Sequence, residues 1–279
     1  MKKEKIICVV VTYNRKDCLY KNLMALLAQT RPIDEVVVVD NASTDGTYEY
    51  IEEILKRHSH IFYYRRPENT GGSGGFSWGV QKAYENGADY IWGMDDDAVP
   101  DNYALEHLQK AEENVKETAA FWSNCDNNCP RDMVKVDTWM FVGFYIPRKI
   151  ISDIGFPRSD FFIYWDDHEY ALRIRKAGYS IYKVKDSVIH HKDANKNYYP
   201  EKKIGHVRFK MFRMENWKVY YYYRNHIITY KWTDRNKYYV AFVEIPKNFV
   251  KSFIYQNGQG KVIAKAWMDG LLNRTGRRI

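Results

Sequence analysis

The chain has no uninterrupted apolar run that could cross a bilayer as a helix, which takes about 20 residues. Its first residues, Met1-Lys2-Lys3-Glu4-Lys5, are mostly charged, so no secretory leader is expected. Cysteine is scarce. Four of them (Cys8, Cys18, Cys125, Cys129) make no disulfide framework, and Cys125 and Cys129 have no second pair to complete a zinc site. All four read as reduced thiols of a cytosolic protein. There is no internal repeat, no low-complexity segment and no recognised nucleic-acid-binding motif. These absences argue against a disulfide scaffold, a membrane-spanning protein and a disordered tail.

A globular composition remains, 45% hydrophobic and 28% charged, in a chain of 279 residues. That length is enough for a sizeable core. The net charge of +8 favours an anionic partner: nucleotide phosphates, acidic lipid headgroups or nucleic acid. Charge is the only feature that points to nucleic acid, so that partner is not expected.

Hydrophobic patterning divides the chain. Ile6 to Val11 and Val36 to Val39 are continuous β-branched runs, the mark of strands buried on both faces. Leu19, Leu23, Leu26 and Leu27 between them fit one face of a helix. A second helix through Ile51, Ile54 and Leu55, a strand at Ile61–Tyr64, a glycine-rich loop at Asn69–Phe76 and a further helix to Asn86 continue the alternation. Alternating strands and helices predict a doubly wound, mostly parallel sheet, with ligands held outside the carboxyl ends of its strands. From about Ala119 the alternation breaks. Phe121–Ser123, Thr138–Ile146, Phe161–Tyr164 and Ser187–Ile189 read as strands, and Trp165–Tyr179 as a helix with Gly178 as its C-terminal stop. From Trp217 the chain is rich in Tyr, Trp, Phe and Lys, with helices expected at 220–230, 239–253 and 261–272 and a break or kink at Pro246.

The strand Tyr90-Ile91-Trp92 runs into Asp95-Asp96-Asp97. Three adjacent carboxylates are costly to bury unpaired. At an exposed strand end they suit a hard cation, and residues i and i+2 of an extended segment share a side, so Asp95 and Asp97 could hold one Mg²⁺ or Mn²⁺. The alternative is a solvated turn before Pro100.

Val11-Thr12-Tyr13-Asn14-Arg15, Val39-Asp40-Asn41-Ala42-Ser43-Thr44-Asp45-Gly46-Thr47, the acidic triplet, the glycine-rich segment, Trp165-Asp166-Asp167-His168-Glu169-Tyr170, Ile189-His190-His191 and Tyr223-Arg224-Asn225 occur in that order. The set resembles inverting family-2 glycosyltransferases of the GT-A fold, in the bacterial galactofuranosyltransferase and rhamnosyltransferase branch. The likeness runs from about Ile6 to Asn225. It implies a catalytic domain over 1–215. The helical region over 216–279, basic and aromatic-rich, suits an anionic membrane surface, with a contact to another copy of the chain or internal packing as the alternative.

The resemblance implies roles for particular residues. Thr12, Asn14, Arg15, Asp40, Asn41, Gly74, Asp95 and Asp96 would bind the nucleotide-sugar. Arg15 suits the diphosphate, because a guanidinium grips phosphate oxygens bidentately. Asp95, Asp97 and His191 would hold Mn²⁺ or Mg²⁺, with His190 the rival to His191. Asp167 would be the general base on the acceptor hydroxyl, with Asp166 as its rival; both could instead cap the helix that follows. Trp139, Trp165 and Asp166 would contact the acceptor, though either Trp could equally be a core aromatic.

The function implied is transfer of galactofuranose from its uridine diphosphate form to a polyprenyl-diphosphate-linked glycan, at the inner face of a bacterial cell membrane. Transfer of rhamnose from its dTDP form is the near alternative. A nucleotide-sugar-binding module without turnover is the alternative of another class.

Overall fold

Ile6–Thr12 is apolar up to its last residue and forms strand β1, buried along its whole length. The computed structural model describes residues 4–191, 198–211, 213–231 and 237–278. Helix α1 (Lys16–Leu27) turns Leu19, Leu23 and Leu26 inward, at the spacing of an amphipathic helix. Strand β2 (Glu35–Asp40), helix α2 (Thr47–Arg57), β3 (Ile61–Arg65), α3 (Gly71–Glu85) and β4 (Tyr90–Asp95) complete the alternation. β1 pairs in parallel with β2 and β4, and β2 with β3.

β5 (Ala98–Pro100), α4 (Ala104–Glu113), β6 (Ala119–Asn124), β7 (Met133–Lys135), β8 (Phe144–Pro147), α5 (Arg148–Ile154), α6 (Asp166–Lys176) and β9 (Ser180–His191) follow. Nine strands form one sheet in the order β3-β2-β1-β4-β8-β6-β9-β5, with β7 beside β9. β8 runs antiparallel to β4 and to β6, so the sheet is parallel at its first four strands and mixed beyond them. Its core runs from Ile6 and Val9 through Trp92 to Phe121, Phe144 and Tyr170.

Four expectations change. The glycine-rich segment is not a loop, because α3 begins at Gly71. A Cβ on Gly75 would lie 2.5 Å from a Val11 methyl, and one on Gly79 2.5 Å from a Val9 methyl. The missing side chains let α3 lie close on β1. Of the segment expected as a strand at 138–146, only the part from Phe144 is one. Trp139, Phe141 and Val142 ahead of it are buried in irregular backbone, so their apolar run marked burial rather than strand. Phe161–Tyr164 is no strand either. Phe162, Tyr164 and Trp165 take positive φ of 69°, 67° and 68°, which extended pairing does not allow. Finally, Ser187–Ile189 is the end of the twelve-residue β9.

Packing divides the chain into two compact units. The first holds the sheet, up to Ser159 and again from Asp167 to Lys192. The second takes Asp160–Asp166 and the chain from Asp193 onward. It contains the hairpin β10 (Lys202–Ile204) and β11 (Val207–Phe209), then helices α7 (Asn216–Lys231), α8 (Lys237–Tyr239), α9 (Ile245–Tyr255) and α10 (Gly260–Leu271). A π-helical turn, Val240–Glu244, joins α8 to α9. Tyr239 and Glu244 keep right-handed helical dihedrals, so the three segments run as one helix. Pro246 offers no N–H and crowds the carbonyl four residues back; the widened turn just before it relieves that crowding. This unit has its own core, centred on Tyr220, Tyr221, Ile245, Ile263 and Ala266.

Candidate active site

Strands β1, β2 and β4 end together. The register sets Thr12 opposite Asp40 and Val11 opposite Asp95, so three loops leave the carboxyl edge of the sheet side by side.

The loop after β1 is tied to the other two. Asn14, at φ 52°, donates its backbone N–H to Ser43 Oγ (2.9 Å), and its side-chain oxygen accepts from the Thr44 N–H (2.7 Å). Thr12 Oγ1 donates to Asp96 Oδ2 at 2.6 Å. Arg15 lies 2.7 Å from Asp97 Oδ2 and 3.4 Å from Asp96 Oδ1. Asp40 is buried, and its oxygens accept from the Ser43 N–H (2.9 Å) and the Tyr63 hydroxyl. It holds the turn that follows β2. Asn41 is also buried and bridges to the start of α3, donating to the Gly71 carbonyl (3.0 Å) and accepting from Thr70 Oγ1 (3.2 Å). Gly74 is buried in the first turns of that helix, where a Cβ would meet Thr70 Oγ1 at 2.3 Å.

The acidic triplet follows the pleat. Asp96 points inward to Thr12 and is 3% exposed. Asp95 and Asp97 gather with His191, and one ligand atom from each lies within 4.8 Å of the others. Antiparallel pairing explains why this histidine is chosen over its neighbour. β5 and β9 place Ala98 opposite His191, so His191 Nε2 comes 3.2 Å from Asp97 Oδ1. His190 faces the other way, where Nε2 lies 2.8 Å from Asp101 Oδ1. A cavity of about 260 Å³ adjoins the group, lined among others by Cys18, Lys21, Asp97, Asn127 and His191.

Electrostatics follow from crowding. Burial, and then the charges of Asp96 and Asp97, push the Asp95 carboxyl up to about 8. Burial pushes Asp96 up to about 6, against the bonds from Thr12 and Arg15. At Asp97 burial is outweighed by the bond and charge of His191 and the charge of Arg15, which together hold it below its ordinary value. Two carboxylate oxygens and an imidazole nitrogen are a hard, open donor set of the kind Mn²⁺ and Mg²⁺ take. A divalent cation there would neutralise charge that a proton on Asp95 otherwise neutralises.

Asp166 and Asp167 open α6. Asp166 is 8% exposed. Asp167 is more open; its Oδ1 accepts from the His168 N–H (2.7 Å) and lies 3.5 Å from His168 Nδ1. Trp139 is not brought to the surface. It is fully buried against Phe144 and Tyr170, as a core aromatic. Trp165 is half-buried and stacks on His226, with ring centroids 3.9 Å apart and planes 9° apart, beside Tyr222 and Tyr230.

Arg224 and Asn225, assigned no role from the sequence, prove to be the clamp on the loop that carries Trp165. Asn225 Nδ2 donates to the carbonyls of Phe161, Ile163 and Tyr164 at 2.9 to 3.0 Å. Arg224, fully buried, donates to the carbonyls of Phe161 (2.9 Å) and Gly276 (2.6 Å). Bulky residues at positive φ persist only where the surroundings over-determine them, and these bonds do so. The signal was present as the adjacent pair, but a clamp on backbone carbonyls has no sequence spacing to reveal it.

Comparison with known proteins agrees with this geometry. Galactofuranosyltransferase GlfT1 of Mycobacterium tuberculosis (strain CDC 1551 / Oshkosh) is 40% identical over 94 residues, 34% of this chain and 31% of that one. The match thus spans about a third of the length of such curated relatives. The mannosyltransferase PcManGT from Pyrobaculum calidifontis, solved in complex with GDP-Man and Mn²⁺, superposes with a TM-score of 0.66 at 14% identity, covering 98% of this chain and 89% of that one. Residues 1–349 of Staphylococcus aureus TarS in complex with UDP superpose with a TM-score of 0.60 at 14% identity, over 97% and 82%. Strand order and superposition together show the GT-A fold, and the family model that matches residues 7–215 makes the class a glycosyltransferase. Within that class the chain belongs to glycosyl transferase family 2, whose family model matches residues 7–215.

Proposed function

We propose that the protein is a metal-dependent inverting transferase that moves galactofuranose from UDP-galactofuranose to a glycan on a polyprenyl-diphosphate carrier, at the inner face of a bacterial cell membrane. The observation that carries the metal-dependent part is the Asp95, Asp97 and His191 group at the carboxyl edge of the sheet, with Arg15 beside it. The sugar rests on the stretch of likeness to the galactofuranosyltransferases. Asp95, Asp97 and His191 would hold Mn²⁺ or Mg²⁺, which when bound supplies positive charge against the departing diphosphate. Arg15 grips the same diphosphate through a guanidinium that Asp97 now orients. Asp167 takes the proton of the acceptor hydroxyl as its oxygen attacks the anomeric carbon. The new carbon–oxygen bond forms on the face opposite the one that breaks, and the electron pair leaves with the nucleoside diphosphate. Asn14, Asp40 and Asn41 act at one remove, holding the loops that carry Arg15 and the start of α3. Trp165 offers an aromatic face to the acceptor. The test is release of nucleoside diphosphate from UDP-galactofuranose, and separately from dTDP-rhamnose, with Mn²⁺ and a glycolipid acceptor. Release from the first donor supports the reading, release from the second alone changes the sugar, and nucleotide binding without release from either makes the chain a binding module.

A further inference from the structure

A surface helix normally hides its apolar stripe and shows water its polar one. The continuous helix from α8 through the π turn into α9 buries Val240, Ala241 and Ile245 but also shows water a second apolar stripe. Tyr239, Phe242, Val243, Val250 and Phe253 all face solvent, with Phe242 59% and Phe253 63% exposed. Between Tyr238 and Phe253 the one exposed residue that is neither aliphatic nor aromatic is Lys247. The spacing of three and four residues aligns these side chains along one face.

The chain that carries that face is basic. From Lys237 to the end the chain has eight lysines and arginines and two carboxylates, Glu244 and Asp269. Glu244 is partly buried, and Asp269 is buried and paired with Lys265 (3.1 Å) and Arg274 (3.4 Å). The hairpin β10–β11 fastens to the far end of α9: Lys202 donates to the Ile254 carbonyl (2.8 Å), and the Tyr255 hydroxyl bonds the Phe209 carbonyl. It brings exposed Lys203, Val207 and Arg208, the last with its Nε 3.9 Å from Glu201 Oε1.

We infer that this face seats the protein on an anionic lipid bilayer, with Phe242, Val243, Val250 and Phe253 entering the headgroup boundary and Lys247, Lys203 and Arg208 meeting lipid phosphates. Apolar side chains flanked by lysine and arginine are the chemistry of an interfacial helix. No helix among the described residues is long and apolar enough to cross a membrane. A second copy of this chain fits less well: a two-fold contact would set the same basic border against itself. The inference deepens the membrane part of the proposed function and is independent of its donor sugar and metal, since it uses no residue of the metal group.

The experiment is co-sedimentation of the full chain with phosphatidylcholine vesicles, with and without phosphatidylglycerol. The protein should pellet with the anionic vesicles, stay in solution with the neutral ones, and be released by high salt. The double variant Phe242→Ser/Phe253→Ser should partition at least about tenfold less, since each ring otherwise buries a large apolar area. Lys203→Glu/Arg208→Glu, confined to the hairpin surface, should also weaken binding while leaving the Mn²⁺-induced rise in melting temperature intact. Equal binding to neutral vesicles, or no binding to either, would overturn the inference. So would a dimer seen by sedimentation velocity that the Phe242→Ser/Phe253→Ser change abolishes.

Discussion

Asp95→Asn should make the metal-free protein more stable, by an amount that grows with pH, while removing its response to Mn²⁺. The folded protein keeps a proton on Asp95 up to about pH 8, whereas an ordinary aspartate lets go at 3.8. Between those values the unfolded chain binds fewer protons than the folded one, so wild-type stability falls as pH rises through that window. Each pH unit of such a mismatch is about 1.4 kcal/mol. Allowing for relaxation around the ionised group, the wild type should give up about 2 to 4 kcal/mol by pH 8.5. An amide carries no such charge. The melting temperature of the variant should therefore match the wild type near pH 4, exceed it increasingly to about pH 8, and then hold a constant lead of roughly 5 to 10 °C. Calorimetry in chelator across this range reads the effect. Added Mn²⁺ should lift the wild type toward the variant and leave the variant unmoved, because binding exchanges the proton for the ion. A gap independent of pH, or a variant that still responds to Mn²⁺, would refute the picture of a carboxylate held ready for a cation.

Three further changes separate neighbouring roles. His191→Ala should weaken Mn²⁺ binding about tenfold or more, while His190→Ala, which loses only the surface contact with Asp101, should leave it within a factor of two or so; calorimetric titration decides. Gly75→Ala should cost about 1 to 3 kcal/mol by pushing α3 off Val11 and Asn41, seen as a lower denaturant midpoint. Arg224→Met should cost about 1 to 3 kcal/mol, because it takes the Arg224 donor from the Gly276 carbonyl and leaves the Phe161 carbonyl to Asn225 alone, and should raise protease sensitivity at residues 160–165.

The parallel half of the sheet was legible because β-branched runs and leucine spacing report burial and period directly. The meeting of the Thr12, Asp40 and Asp95 loops followed from strand alternation alone, and the β1, β2 and β4 register places them together. Which of two adjacent histidines turns toward Asp97 was not legible from spacing, since it depends on the antiparallel register of β5 on β9. Glycine content misled at Gly71–Gly75: close packing of a helix on a strand demands the same residue as a flexible loop. Aromatic runs misled twice, at Trp139 and at Phe161–Tyr164, because a large apolar side chain signals burial without saying what the backbone does. The solvent-facing stripe at Phe242 and Phe253 was invisible as such, since periodicity gives a face but not the side on which its neighbours pack.

The most direct test is nucleoside diphosphate release from UDP-galactofuranose, with Mn²⁺ and a glycolipid acceptor, by the wild type and by Asp167→Asn. The prediction is steady release by the wild type that requires the acceptor, and a loss of about 10² to 10⁴-fold in the variant with donor affinity unchanged. Nucleotide bound by both proteins, with release from neither UDP-galactofuranose nor dTDP-rhamnose, would contradict it.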